Sequence, residues 1–140
     1  PQFDNENTTP ISDNKEQVGP TFTPFVIDDT HNPETFIADY FEAINEQKIN
    51  QSWQMYTSEY QQICCGQQGG DPYQVYLNQW EDIDKVLLVS AYLLERDVNP
   101  APISVNIQYI HKDGITIDDS KVYWVVFDNI LDTFLIDDIQ

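Results

Sequence analysis

Two apolar periodicities divide this chain, and their order limits its fold more than any other feature. From residue 33 to about residue 80 the apolar side chains recur at helical spacing, and from Ile83 onward they recur at strand spacing. Helices that come first and strands that come last can bury their apolar faces together by packing on one side of an antiparallel meander. The expected class is α+β.

The helical half carries its own start signals. Asn32-Pro33-Glu34 reads as an N-cap, a proline at the first helical position and an acid at the positive end of the dipole. Phe36, Ile37, Tyr40, Phe41 and Ile44 then form one stripe, which predicts a helix to about Gln47. Asn50 is positioned to cap a second, shorter helix in which Trp53, Tyr56 and Tyr60 share a side. Residues 64–70, CCGQQGG, read as loop. Asp71-Pro72 repeats the cap-plus-proline signal, with Tyr73, Tyr76, Leu77 and Trp80 on the stripe of a third helix.

Four strands are predicted at 86–94, 103–110, 115–127 and 134–139, the third read as two apolar runs. Ile103, Val105, Ile107 and Tyr109 alternate with Ser104, Asn106 and Gln108, as a sheet with one buried face requires. Lys112-Asp113-Gly114 marks a hairpin turn.

Residues 1–32 are different. The first 33 residues hold five of the eight prolines, with many Asn, Thr and Asp and no sustained period. This composition predicts a flexible arm over 1–32 and a single domain over 33–140. Phe22, Phe25, Val26 and Ile27 could still dock on the domain. The chain begins at Pro1 rather than Met, as a processed or excised piece of a longer protein would.

Twenty-four acidic residues face six cations, for a formal charge of -18. Such a field repels a phosphate backbone and anionic lipid, so no nucleic-acid partner is expected. No apolar run is long enough to span a bilayer, so no direct membrane insertion is expected either. Three Trp, eight Tyr and seven Phe supply the core with large apolar surface. Cys64 and Cys65 are adjacent, which suits neither a loop-closing bridge nor a zinc site. Two thiols near a loop are the default reading, with a vicinal or intermolecular disulfide as the alternative.

The order of elements and several local patterns resemble the nuclear-transport-factor-two-like superfamily, which includes ketosteroid isomerase and polyketide cyclases. These patterns are residues 39–45 (DYFEAIN), 52–56 (SWQMY), 73–80 (YQVYLNQW) leading into Ile83–Val89, and 132–137 (DTFLID). The closing strand of the family often carries Trp where this chain has Phe134. The resemblance implies a cone-shaped fold, with N-terminal helices packed on a curved antiparallel β-sheet around a pocket. More narrowly, the chain looks like the accessory domains that follow Pro/Thr/Asn-rich linkers in bacterial membrane-anchored proteins, some kinases among them. A homodimer through the sheet is expected by the same analogy.

An isomerase of the ketosteroid type needs a carboxylate base in an apolar pocket and an acidic donor for the oxyanion. Tyr40, Tyr56, Tyr76, Tyr92 and Tyr109 are candidate donors, and Asp39 and Asp128 candidate bases. None matches a catalytic position of the family, so no catalytic residue is assigned. His31 and His111 have no nucleophile or metal-spaced partner nearby. The pairs Asp28-Asp29, Asp118-Asp119 and Asp137-Asp138 lack the spacing of a calcium loop, so no metal site and no cofactor are expected. The candidate ligand-binding residues are Tyr40, Trp53, Tyr76, Trp80, Tyr109 and Trp124, which can equally serve as core.

The leading expectation is a non-catalytic module that binds a small molecule or a protein, as an accessory to a larger bacterial protein of the membrane-anchored kind. That parentage would place it outside the cytoplasm. The alternatives are a small isomerase, cyclase or dehydratase using an Asp base and a Tyr donor, and a secreted structural or adhesion-type protein.

Overall fold

The structure, a computed structural model, describes Asp28 and residues 31–140. The arm expected over 1–32, with Phe22, Phe25, Val26 and Ile27, falls outside the described residues except for Asp28, His31 and Asn32. Four helices precede four strands: α1 (Pro33–Asn45), α2 (Ile49–Trp53), α3 (Ser58–Cys65), α4 (Pro72–Gln79), β1 (Ile83–Leu93), β2 (Ala101–His111), β3 (Thr116–Asp128) and β4 (Thr133–Ile139). The strands form one antiparallel sheet in the order β1-β2-β3-β4. The chain is α+β.

Helix α1 begins where its signals predict. The Asn32 side chain accepts from the N–H groups of Glu34 and Thr35, satisfying two donors that the first turn leaves open. Its stripe, Phe36, Ile37, Tyr40, Phe41 and Ile44, is buried with Ala43. Each large side chain contributes about 2 kcal/mol by leaving water. α4 starts in the same way, with Asp71 accepting from the Tyr73 N–H.

The middle of the helical half differs from expectation. Asn50 is not a cap; it lies inside α2, whose N-cap position is Lys48 with no side-chain cap bond. Nor does that helix reach Tyr60. It stops after Trp53, and Tyr56 makes a parallel bridge to Ile136 of β4. Thr57 then caps a new helix, α3, by accepting from the Tyr60 N–H at 3.1 Å. α3 takes in Cys64 and Cys65, expected in a loop, and the two are joined in a vicinal disulfide, the alternative to two free thiols.

The strands follow their patterns with two extensions. β1 starts at Ile83 and has a register shift between Leu88 and Ser90, which leaves Val89 exposed. β3 runs unbroken through Asp118, Asp119 and Ser120, because ladder bonds use the backbone and polar side chains can face solvent. The predicted turn closes β2 to β3, with Gly114 at φ 92° and its N–H donating to the His111 carbonyl at 2.9 Å. On the inner face Ile103, Val105 and Ile107 are fully buried. On the outer face Asn106 donates to Ser90 Oγ at 2.8 Å and Gln108 donates to Asp118 at 2.9 Å.

The helical layer also covers backbone groups of both outer strands. The Asn45 carboxamide acts as a one-residue strand beside β1: Nδ2 donates to the Val86 carbonyl and Oδ1 accepts from the Val86 N–H, both at 2.8 Å. Farther along, the Leu93 N–H donates to Glu34 at 2.7 Å. On β4, Ile136 donates to the Met55 carbonyl at 2.7 Å and accepts from the Thr57 N–H at 2.9 Å. Edge strands that stay unpaired invite other strands, so these bonds protect the fold as well as orient the helices. Replacing Asn45 with Ala leaves two backbone groups of a buried strand residue without partners. It should lower the unfolding free energy by about 2 kcal/mol, read as a shift in the urea midpoint at constant slope. An unshifted midpoint would contradict the pairing.

Candidate functional site

The region enclosed by helices and sheet is filled with tyrosine. α1 supplies Tyr40, α2 supplies Ser52 and Trp53, the β-bridge supplies Tyr56 and α4 supplies Tyr76, all of them buried. Their hydroxyls form a chain: Tyr56 to Tyr40 at 2.9 Å, Tyr40 to Tyr76 at 2.9 Å and Tyr76 to Ser52 at 2.7 Å.

The chain has a direction. Ser52 Oγ donates to the Ile49 carbonyl at 2.7 Å, which uses its one hydrogen. Ser52 must then accept from Tyr76, Tyr76 from Tyr40 and Tyr40 from Tyr56, since each hydroxyl carries a single proton. The chain ends on a main-chain carbonyl, which accepts a hydrogen bond but does not take up a proton as a base would. It holds α1, α2 and α4 together and satisfies polar groups that would otherwise cost 1–3 kcal/mol each, to order of magnitude, when buried.

Titration behaviour agrees with that role. Burial holds Tyr40, Tyr56 and Tyr123 well above the ordinary phenol range, and it raises Tyr76. Tyr60 and Tyr109 are pushed up to about 12, first by burial and then by the carboxylates of Asp138 and Asp119 respectively. All six keep their protons at neutral pH and can donate, whereas none is poised to act as a base.

Five of the six candidate ligand-binding residues meet here. Trp53 packs on Tyr76 at 5.0 Å between ring centroids, Tyr76 on Trp80 at 6.2 Å and Trp80 on Tyr109 at 6.2 Å, and Tyr40 joins through its hydroxyl. Trp124 does not join them. It lies opposite Pro102 and between Tyr123 and Val125, so strand alternation turns it away from the face that carries Ile103 and Val105. Its indole Nε1 is buried without a hydrogen-bond partner among the described residues.

The carboxylates stand elsewhere. Among the described residues the buried polar side chains are Ser52 and Thr57, with no Asp, Glu or His in that class. Asp39 lies exposed on α1, where it lines an outer cleft. Asp128 accepts from the N–H groups of Ile130 and Leu131, both at 2.8 Å, and so shapes the β3–β4 turn. Tyr92 is about half exposed. His31 accepts a structural task that its sequence context had not suggested. It reaches Asp132 at 2.9 Å and Asp28 at 3.3 Å, which raises its pKa and ties the start of α1 to the β3–β4 turn. Among the described residues no group of three or more His, Cys, Asp or Glu could hold a metal ion. No helix there is long and apolar enough to cross a membrane.

The clefts on the outside of the described residues include three of several hundred cubic ångströms. One of about 350 Å³ beside Trp80 mixes Glu81 and Asp84 with Lys85 and Lys112. A second, about 550 Å³, runs between α1, α2 and β4. A third, about 500 Å³, lies between α3 and the β3–β4 hairpin. The second and third share Leu135, and among the described residues no Lys, Arg or His lines either. Sequence reasoning missed both, because their walls come from segments far apart in the chain.

Comparison with protein-family models, curated proteins and solved structures finds no match to this chain.

The raised tyrosine pKa values set a direction for the alkaline limit. Unfolded tyrosine ionises near 10, while Tyr60 and Tyr109 hold their protons to about 12 when folded. The folded state therefore binds more protons in that interval, so stability is complete below pH 10 and falls as pH rises toward 12. Absorbance at 295 nm should show six tyrosines ionising only together with unfolding seen by circular dichroism. Six early, independent ionisations would contradict burial.

Proposed function

We propose that this domain is a non-catalytic binding module with the cone-shaped, nuclear-transport-factor-two-like fold, serving as an accessory to a larger bacterial protein. One observation carries the reading: the hydroxyl chain through Tyr56, Tyr40, Tyr76 and Ser52 occupies the place where an enzyme of that fold would need an open pocket. A cone closed by its own side chains has no room for a substrate. Its donors are spent on one another, and the two candidate bases, Asp39 and Asp128, face outer clefts.

Large apolar side chains also stand outside, where a binding module would use them. Ile130 is 94% exposed and Leu131 60%, in a turn that Asp128 holds rigidly. Apolar groups fixed in solvent without a packing role suit contact with a partner. The partner of this proposal is a protein rather than a small molecule in the cone, and a homodimer through the sheet remains part of it.

Titration with benzene, followed by amide chemical shifts, tests the closed interior. The amides of Tyr40, Ser52 and Tyr76 should not move, as expected of a packed core without a dry cavity. Saturable shifts at those three residues would mean an open pocket and would overturn the reading.

A further inference from the structure

We infer that the surface across β4, from the cleft between α1, α2 and β4 to the cleft beside α3, docks a cationic amphipathic segment of another polypeptide. The inference rests on the binding-module reading and names the surface and the partner chemistry.

Shape comes first. The two clefts measure about 550 and 500 Å³ and share Leu135 in their linings, so they flank the same stretch of β4. Met55 and Leu135 give the first an apolar lining, and Leu131, also on its wall, stands exposed. The turn that presents Leu131 is held by Asp128 and by the His31 contact to Asp132, so this side chain is offered in a fixed place. A preorganised anchor loses little entropy when it is covered.

Charge selects the occupant. Asp39 and Glu42, on one exposed face of α1, and Glu46, at its C-cap, line the first cleft at spacings of three and four residues. Glu59, Asp128 and Asp137 line the third cleft on the other side of β4. Lys48 binds Glu46 at 2.9 Å but lines neither cleft. The cleft beside Trp80, by contrast, balances its acids with Lys85 and Lys112. The surface across β4 therefore combines apolar anchors with six carboxylates on its walls, and among the described residues no Lys, Arg or His lines either cleft. A helix or strand with Leu-type residues on one side and Lys or Arg on the other complements both features. Anionic lipid and nucleic acid are repelled by the same walls.

The test uses three synthetic peptides of equal length with the full chain: one amphipathic in Leu and Lys, one in Leu and Glu, and one in Lys and Ser. Isothermal titration at low salt should show one-to-one binding of the Leu/Lys peptide alone, with amide shifts at Glu42, Met55, Leu131 and Leu135. The exposed double variant Asp39→Asn/Glu42→Gln and the exposed single variant Leu131→Ser should each weaken binding by about fivefold or more. The control Asp113→Asn/Asp118→Asn, which removes equal charge at the far end of the β2–β3 hairpin, should change it by less than about twofold. Equal binding of the Lys/Ser peptide, or equal loss in the control, would reduce the effect to net charge and overturn the inference. Failure of the Leu/Lys peptide to bind would overturn it too. The binding-module reading would survive both results as long as benzene leaves the interior unshifted.

Discussion

The chain of hydroxyls from Tyr56 through Tyr40 and Tyr76 to Ser52 is the interaction on which the rest of this structure depends. It joins three helices through buried polar atoms, and its termination on the Ile49 carbonyl fixes the direction of every proton in it. A phenylalanine core of the same shape could bury as much apolar area. It would not specify which rings meet, whereas a satisfied polar network permits a single arrangement. The same chain fills the space between α1, α2 and α4 with side chains.

The helical layer is tied to the sheet in a way that reinforces this closure. Asn45 imitates a strand residue beside β1, and Met55 and Thr57 do the same beside β4. Both outer strands are held by side chains or backbone of the helical half. The break between α2 and α3 follows from this arrangement: Tyr56 must be extended to bridge Ile136, and Thr57 must cap what comes after. The clefts on either side of β4 are the space that this crossing leaves.

Much of the fold was legible in the sequence, and the reasons are local. Asn32-Pro33 and Asp71-Pro72 declared their helices because capping depends on neighbouring residues, and the stripe of α1 and the alternation of β2 declared their buried faces. The break at Thr57 was hidden, since Trp53, Tyr56 and Tyr60 fit a continuous helical stripe and only a bond to a strand eighty residues later interrupts it. The union of Cys64 with Cys65 had no signal beyond adjacency. Five of the six aromatic candidates are neighbours in space because helical spacing put Tyr40, Trp53, Tyr76 and Trp80 on inward faces, and Tyr109 continues the inward alternation of β2. Residue type alone groups Trp124 with them, and strand parity sets it on the other side. The outer clefts could not be read at all, because Asp39 and Glu42 meet Leu131 and Leu135 only through the tertiary fold.

The central claim is that the interior is closed by hydroxyls bonded to one another. The most direct measurement is nuclear magnetic resonance of the hydroxyl protons of Tyr40, Tyr56 and Tyr76 at room temperature and neutral pH. In a closed interior these protons exchange slowly with water, so separate resonances should appear, with cross-peaks linking Tyr56 to Tyr40 and Tyr40 to Tyr76. Hydroxyl signals lost to rapid exchange with water, under conditions where the backbone amides of α1 remain protected, would show solvent inside the fold and contradict the account.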